Sequence, residues 1–261
     1  MATLSAPLTL RSFGYWAFQY KRTWRGSVVS TVLFPVLFLA SMGLGLGTLV
    51  DSSQAGGVAG LPYLVFLAPG LLAATAMQTG VGESTYTVIG SIKWVRTYHA
   101  MLATPLGVPE VLFGHLLYIA ARVLLGSVIF LAVMALFGAV RSPLALLALP
   151  AAVLTGMAFS TPVVAFAAST DSDSGFAAIQ RFVITPLFLF GGVFFPVDQL
   201  PPVLEQLAHV TPLWHGVQLS RDLSLGTGTA AGVLGHAGYL LAFIAGGTWL
   251  AARAFQRRLA V

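Results

Sequence analysis

The sequence contains six long apolar segments, each long enough to cross a lipid bilayer as one helix. A hydrocarbon core about 30 Å thick needs about 20 apolar residues for each helical crossing. The segments are continuous and not alternating, which disfavours the short strands of a membrane β-barrel. We therefore predict an all-α integral membrane protein with six transmembrane helices in a single domain, residues 1–261. The predicted spans are residues 27–50, 61–82, 111–140, 143–169, 176–196 and 230–252.

Composition excludes an ordinary soluble fold. The chain has 261 residues, of which 57% are hydrophobic and only 8% charged, whereas soluble domains carry about 25% charged residues. Cysteine is absent, so the chain offers neither disulfides nor thiolate metal sites. The net charge of +5 comes from basic residues that flank the apolar segments and form no dense block. We therefore expect no nucleic-acid partner.

The placement of lysine and arginine predicts the orientation of the chain, since cytoplasmic flanks are enriched in these residues. With the N-terminus in the cytoplasm, only Arg141 and Arg221 lie on the outer side of the membrane. Both termini are therefore predicted to be cytoplasmic. The basic residues on or near the cytoplasmic side are then Arg11, Lys21, Arg22, Arg25, Lys93, Arg96, Arg181, Arg253, Arg257 and Arg258.

The N-terminal segment, residues 1–26, has apolar residues at helical spacing, while Arg11, Arg22 and Arg25 share another face. This pattern is typical of an interfacial helix lying on the inner leaflet. The alternative is a membrane anchor with no other role.

The inner loop, residues 83–110, contains Lys93, Trp94, Arg96 and Tyr98. Its end at Pro109 and Glu110 suits the start of the next helix. We predict a helix that projects into the cytoplasm and could dock on a partner. The alternative is an ordinary solvated loop.

The outer segment, residues 196–226, has two short helical stretches separated by Thr211 and Pro212. Neither stretch is long enough to span the bilayer. We predict a partly buried re-entrant helical hairpin on the outer face, which requires protein or water to satisfy its backbone.

No pattern for nucleotide, metal or nucleophile chemistry is present. A phosphate-binding loop needs G-x-x-x-x-G-K-[ST], but the only two lysines, Lys21 and Lys93, follow Tyr20 and Ile92. No zinc pair of the form H-E-x-x-H and no G-x-S-x-G nucleophile elbow occurs. We expect no catalytic residue, no metal and no cofactor on this chain. If ATP drives the protein, another chain must bind the nucleotide. Three histidines are predicted to lie in or near the outer face, but they are far apart in the sequence and lack metal-ligand spacing. They are His209, His215 and His236.

Arg122 is the one basic residue well inside a predicted span. His115, Tyr118 and Arg122 lie along one helix face at spacings of three and four. A charge at this depth needs a partner, and the expected candidates are Asp171, Asp173 and Glu110. A direct contact between Arg122 and substrate is the alternative.

Small residues recur at positions that allow helices to pack closely. They are Gly43 and Gly47 in the first span, and Ala152, Gly156 and Ser160 in the fourth. Packing within the chain is the favoured interpretation, and a dimer seam is the second.

Two sequence blocks resemble the ABC-2 type exporter permeases, in particular the branch of the nodulation lipo-oligosaccharide and daunorubicin-resistance permeases. One block is residues 96–106 (RTYHAMLATPL), and the more specific one is residues 182–201 (FVITPLFLFGGVFFPVDQLP). Residues 211–215 and Arg221 also fit. The resemblance covers the whole chain.

The resemblance implies a complex of two permease copies, identical or related, with two separate ABC ATPase subunits that hold ATP and Mg. It also implies the bacterial cytoplasmic (inner) membrane and contact with membrane lipids. The residues implied to touch the ATPases are Arg22, Arg25, Lys93, Trp94, Arg96 and Tyr98. The residues implied for an outer gate are Phe195, Pro196, Asp198, Pro201, Trp214 and His215.

These expectations combine into one hypothesis: the chain exports an amphipathic substrate, such as a lipid, a glycolipid or a hydrophobic drug. The main alternative is a secondary transporter or channel that acts alone. A membrane enzyme acting on lipids is disfavoured by the missing acid, base and metal residues.

Overall fold

The computed structural model describes residues 5–53 and 57–259. Within these ranges the chain is helical, with no strand beyond an isolated bridge between Val58 and Leu61. Two π-helical segments, Leu39–Leu46 and Gln180–Ile184, and two short 3₁₀ segments, Pro143–Leu147 and Val197–Gln199, join the α-helices. The α-helices are α1 (Ala6–Phe38), α2 (Gly47–Ser53), α3 (Tyr63–Ser84), α4 (Tyr86–Lys93), α5 (Thr97–Leu102), α6 (Val108–Leu136), α7 (Ala148–Ser169), α8 (Ser174–Ile179), α9 (Thr185–Phe190), α10 (Pro202–His209), α11 (Pro212–Leu225) and α12 (Ala230–Leu259).

The described residues contain five helical segments that are long and apolar enough to cross a membrane, where the sequence predicts six. The fifth predicted span, residues 176–196, forms the shorter apolar helix Ser174–Phe190. This helix is interrupted by a π-helical turn and ends before Gly192, whose φ of 79° is left-handed. The helix therefore ends at Phe190, although the apolar segment of the sequence continues to residue 196. The five long segments are Thr31–Ser53, Tyr63–Lys93, Val108–Leu136, Pro143–Ser169 and Ala230–Leu259.

Helix α3 lies at the centre of the bundle and is buried along most of its length, against α6, α7 and α11. Small residues make this contact possible. A Cβ atom at Gly80 would lie 2.5 Å from both the Gly156 carbonyl oxygen and the Ser160 Oγ. The predicted use of Gly156 and Ser160 for packing within the chain is therefore confirmed. Gly43 packs likewise, since its Cβ would lie 2.2 Å from Leu64 Cδ1.

The two ends of the bundle differ. At one end, here the terminal end, the Ser5 backbone N–H donates to Glu110 Oε1 at 3.0 Å. The Tyr98 and Phe255 rings lie 5.3 Å apart at the same end, so the beginning of α1 and the end of α12 lie at one end of the bundle. The opposite end, here the hairpin end, carries α10 and α11, and the Arg141 backbone N–H donates there to the Ser224 carbonyl at 3.1 Å.

The N-terminal helix does not form a separate element. Helix α1 runs from Ala6 to Phe38 without a break near residue 26, so the predicted boundary between an interfacial helix and the first span is wrong. Ser12 and Trp16 are buried, and a Cβ at Gly114 of α6 would lie 2.4 Å from Ser12 Oγ. Packing on α6 therefore continues the helix through the predicted boundary. Residues 1–4 of the predicted interfacial helix lie outside the described residues.

Candidate functional site

The inner loop is compact, because its two short helices, α4 and α5, pack on the bundle, and an exposed turn follows each of them. Glu83 belongs to the last turn of α3, and α4 and α5 pack back on the bundle through buried residues such as Ile89 and Met101. The predicted projecting helix is therefore wrong. The exposed turn between α4 and α5, here the tip, consists of Trp94, Val95 and Arg96.

The tip has the composition of a protein-docking surface. The Trp94 residue is 61% exposed and Val95 is 73% exposed, while Arg96 beside them is exposed and has a left-handed φ of 57°. Tryptophan and arginine are enriched where proteins bind each other, and the tip places an exposed tryptophan, an exposed valine and an arginine side by side. The tip is therefore suited to binding a protein partner, and its three side chains do not form a catalytic site.

Tyr98, expected to touch a partner, lies beneath the tip and is fully buried. Its hydroxyl forms a 2.8 Å hydrogen bond with His115 Nδ1 of α6. Its ring lies 6.0 Å from Trp16 of α1 and 5.3 Å from Phe255 of α12. Direct contact between Tyr98 and a partner is excluded by this burial, and the residue instead ties α5 to three long helices.

Lys93 is engaged within the chain. Its Nζ lies 3.3 Å from Asp171 Oδ1, and Arg258 of α12 binds the same carboxylate. Arg258 and, to a smaller extent, Lys93 lower the pKa of Asp171. Asp171 therefore links the loop after α7 to α4 and α12.

Arg22 and Arg25 are exposed on α1, and neither makes an ion pair with another described residue. The Arg22 guanidinium lies 4.8 Å from the centre of the Phe18 ring on the same helix. Their predicted contact with an ATPase stays a prediction, separate from the tip.

Arg122 has a partner that the sequence analysis missed. Its Nε donates to Glu83 Oε1 at 2.9 Å, and its guanidinium lies 4.1 Å from the centre of the Tyr20 ring. The partners expected from sequence are wrong: Asp171 binds Lys93 and Arg258, Asp173 makes no ion pair in the described part of the chain, and Glu110 accepts from the Ser5 N–H. The predicted inner loop began at Glu83, whereas the structure places Glu83 in the last turn of the membrane-spanning helix α3.

The Arg122 pair joins three helices inside the membrane-spanning part of the chain. The side chains of Arg122 and Glu83 are 14% and 20% exposed. Tyr118, one turn before Arg122, packs 5.9 Å from Trp16 of α1. The predicted cluster of His115, Tyr118 and Arg122 therefore faces α1, and each of its members contacts protein.

At the hairpin end, three of the six predicted gate residues line a cavity of about 390 Å³. They are Pro196, Asp198 and Trp214. Phe195, Pro201 and His215 do not line it. Thr211 caps α11, because its Oγ1 accepts from the Trp214 N–H at 3.3 Å. The other lining residues are Ala59, Phe66, Gly192, Val197, Glu205, His209, Gln218, Arg221 and Asp222.

Arg221 holds this end of the bundle together. Its guanidinium donates to the Gly192 carbonyl and to Gln218 Oε1, each at 2.9 Å, and lies 4.0 Å from the centre of the Phe66 ring. Burial lowers the pKa of Arg221 to about 10, so the side chain stays protonated at neutral pH. The sequence predicted that Arg221 lies on the outer side of the membrane, but it gave no sign of these contacts.

The outer histidines meet in space, although the sequence separates them. His215 Nδ1 lies 2.8 Å from His236 Nδ1, and the His215 ring stacks on Tyr239 at 3.8 Å. The His209 ring lies 4.4 Å from the Trp214 ring. Helix α11 thereby packs on the beginning of α12, and α10 packs on α11.

We expect the folded chain to lose stability as the pH falls from about 6.5 toward 4. Burial, with the nearby His236, lowers the pKa of His215 to about 4, while an unfolded histidine titrates near 6.5. Below 6.5 the unfolded state therefore binds a proton that the folded state excludes. Melting temperatures in mild detergent at pH 7 and pH 5 measure the effect.

His215→Gln should reduce this pH dependence, and His99→Gln, a change at an exposed histidine of the terminal end, should not. An unchanged difference between pH 7 and pH 5 in His215→Gln would contradict the assignment.

Comparisons with known proteins identify the family. The ABC-2 type transporter family matches residues 11–225. Nodulation protein J of Rhizobium leguminosarum bv. viciae is 33% identical over 240 residues, which cover 92% of this chain and 90% of that protein. Nodulation protein J of Sinorhizobium fredii is 32% identical, with 92% and 89% covered. The inner membrane transport permease YadH of Escherichia coli is 24% identical over 195 residues, 75% of this chain and 74% of YadH. The resemblance found in the sequence blocks is thus confirmed, and the chain belongs to the ABC-2 type transporter family as a multi-pass membrane permease.

Proposed function

We propose that this chain is the membrane-spanning subunit of an ABC exporter, driven by ATP that two separate ATPase subunits bind and hydrolyse. Membership of the family supports this proposal, and so does the absence of a phosphate-binding loop from the sequence. The observation that carries it is the tip, an exposed apolar turn on a buried base. The tip is the surface we assign to the ATPase.

Movement of the tip would reach the spans through Tyr98. Its contacts with His115 and Phe255 connect the turn to α6 and α12. Coupling requires that the ATP-bound partner favour one permease conformation over another. The rigid base transmits such a bias, because a buried aromatic cluster cannot yield without moving the helices packed on it.

The proposed orientation places the terminal end in the cytoplasm of a bacterial inner membrane, with both termini inside. Lys93, Arg96 and the arginines of the last turns of α12 lie at this end, in agreement with the preference of cytoplasmic flanks for basic residues. The cavity at the hairpin end is then an outer vestibule. We assign it to the gate through which an amphipathic substrate leaves, in a complex containing a second permease copy.

We expect Val95→Asp to weaken recovery of the partner ATPase by about tenfold or more, since a central interface residue contributes about 2 kcal/mol and a tenfold change corresponds to about 1.4 kcal/mol. The measurement is co-purification in mild detergent with a co-expressed ABC ATPase. Trp94→Ala should act in the same direction.

Val203→Asp is the matched control, because Val203 is 70% exposed at the opposite end. It should leave ATPase recovery unchanged. Normal recovery with both tip variants would show that the ATPase binds elsewhere. Substrate transport by the purified chain in vesicles without any ATPase would instead favour a stand-alone transporter.

A further inference from the structure

An open groove of about 650 Å³ lies between α7 and α12 at the terminal end. Its α7 side is made by the last two turns of that helix, and its α12 side by residues from Leu250 onward. The groove is separate from the tip and from the outer cavity, with which it shares no lining residue. The lining residues are Pro162, Ala165, Phe166, Ala168, Ser169, Leu250, Arg253, Ala254, Arg257 and Arg258.

Small side chains create the groove. Helices α7 and α12 touch at Gly247, where a Cβ would lie 2.8 Å from Pro162 Cδ. Beyond this contact, Ala165, Ala168 and Ala254 are too short to fill the space between the helices. The concave floor is thus apolar, and Phe166 and Leu250 beside it are partly exposed.

Three arginines line the mouth of this apolar groove. Arg258 binds the Asp171 carboxylate, and the Arg253 guanidinium lies 3.7 Å from the centre of the Trp249 ring. In the described part of the chain, neither Arg253 nor Arg257 forms an ion pair. The groove mouth therefore carries two positive charges that no carboxylate of the described residues compensates.

Arg253 directly follows the predicted sixth span, residues 230–252, and Arg257 lies one turn further on. Long basic side chains at the end of a transmembrane helix reach the lipid head groups. Arginine binds phosphate oxygens through paired N–H groups, and basic pockets between transmembrane helices on the cytoplasmic side hold anionic lipids. Arginines that serve only to orient a transmembrane helix need no apolar groove beside them, and the groove therefore favours a bound lipid.

We propose that the groove binds one anionic phospholipid of the surrounding leaflet. The phosphate lies between Arg253 and Arg257, and an acyl chain runs along Phe166 and Leu250. Arg258 contributes less, because Asp171 already neutralises it. The site is independent of the ATPase surface assigned above.

The test compares ligands on the delipidated, purified full-length chain in an uncharged detergent. We expect phosphatidylglycerol to bind and raise the melting temperature, whereas phosphatidylcholine and inorganic phosphate do not. The double variant Arg253→Gln and Arg257→Gln should bind phosphatidylglycerol about tenfold more weakly. The double variant Arg11→Gln and Lys21→Gln removes the same charge from exposed positions of α1 and should bind normally.

Ser169→Phe tests the groove without changing charge, because Ser169 is exposed at its mouth. This variant should lower phosphatidylglycerol binding while the chain still purifies as a folded protein. Three results would overturn the proposal: equal binding of phosphatidylcholine, equal stabilisation by inorganic phosphate, or equal loss in the α1 control. Normal binding by both groove variants would overturn it as well.

Discussion

Arg122→Met is expected to destabilise the folded chain by about 3–5 kcal/mol, the cost of leaving one partner of a buried ion pair alone. The Glu83 carboxylate is 20% exposed and would lose the charge 2.9 Å away. A solitary charge among membrane-spanning helices has little access to water. Unfolding in mixed detergent and SDS micelles, followed by circular dichroism, measures the difference.

The double variant Glu83→Gln and Arg122→Met should regain most of this loss, because it removes both charges together. Lys93→Met is the control on a partly exposed pair whose Asp171 side chain is 77% exposed. Exposed ion pairs contribute little to stability, so this change should be mild. If Arg122→Met were as mild as Lys93→Met, the pair would not stabilise the fold.

Gly80→Val is expected to cost about 3 kcal/mol or to prevent folding. The new Cβ would lie 2.5 Å from the Gly156 carbonyl oxygen, a backbone atom that cannot rotate away. Overpacking of a close contact costs about 1–3 kcal/mol, and occasionally more. Because α3 is the central helix of the bundle, its displacement would disturb α6, α7 and α11 together.

Gly82→Val is the matched control, since nothing lies within 4 Å of a Cβ at Gly82. Both changes place the same β-branched residue near the end of α3, so the intrinsic helix cost is shared. The yield of folded monomer from gel filtration and the unfolding midpoint separate the two variants. Equal behaviour of Gly80→Val and Gly82→Val would mean that the α3 and α7 contact can open freely.

Contacts between distant residues account for most errors in the sequence analysis. Glu83 and Arg122 are 39 residues apart, and Tyr98 and His115 are 17 apart. Helical spacing shows which side chains share a face of one helix, but not which helix lies opposite. The sequence therefore identified Arg122 as needing a partner and named the wrong carboxylates.

The gate prediction illustrates the same limit on a smaller scale. Sequence similarity indicated the outer segment and led to Pro196, Asp198 and Trp214, which line the outer cavity. Arg221 also fits the similarity, but the sequence gave no sign that this arginine joins α11 to Gly192 and Phe66. His215 and His236 likewise meet only because α11 packs beside α12.

The sequence by itself determined that the chain is helical and membrane-spanning, because long apolar runs can satisfy their backbone in a bilayer only as helices. It also determined the family, through the block at residues 182–201, and the close packing of Gly156 and Ser160. Only the tertiary structure decided that the inner loop folds back to leave the tip, that α1 continues unbroken into the first span, and which charges pair. These features depend on which helices become neighbours, and that choice is made by packing across the whole chain and not by local pattern.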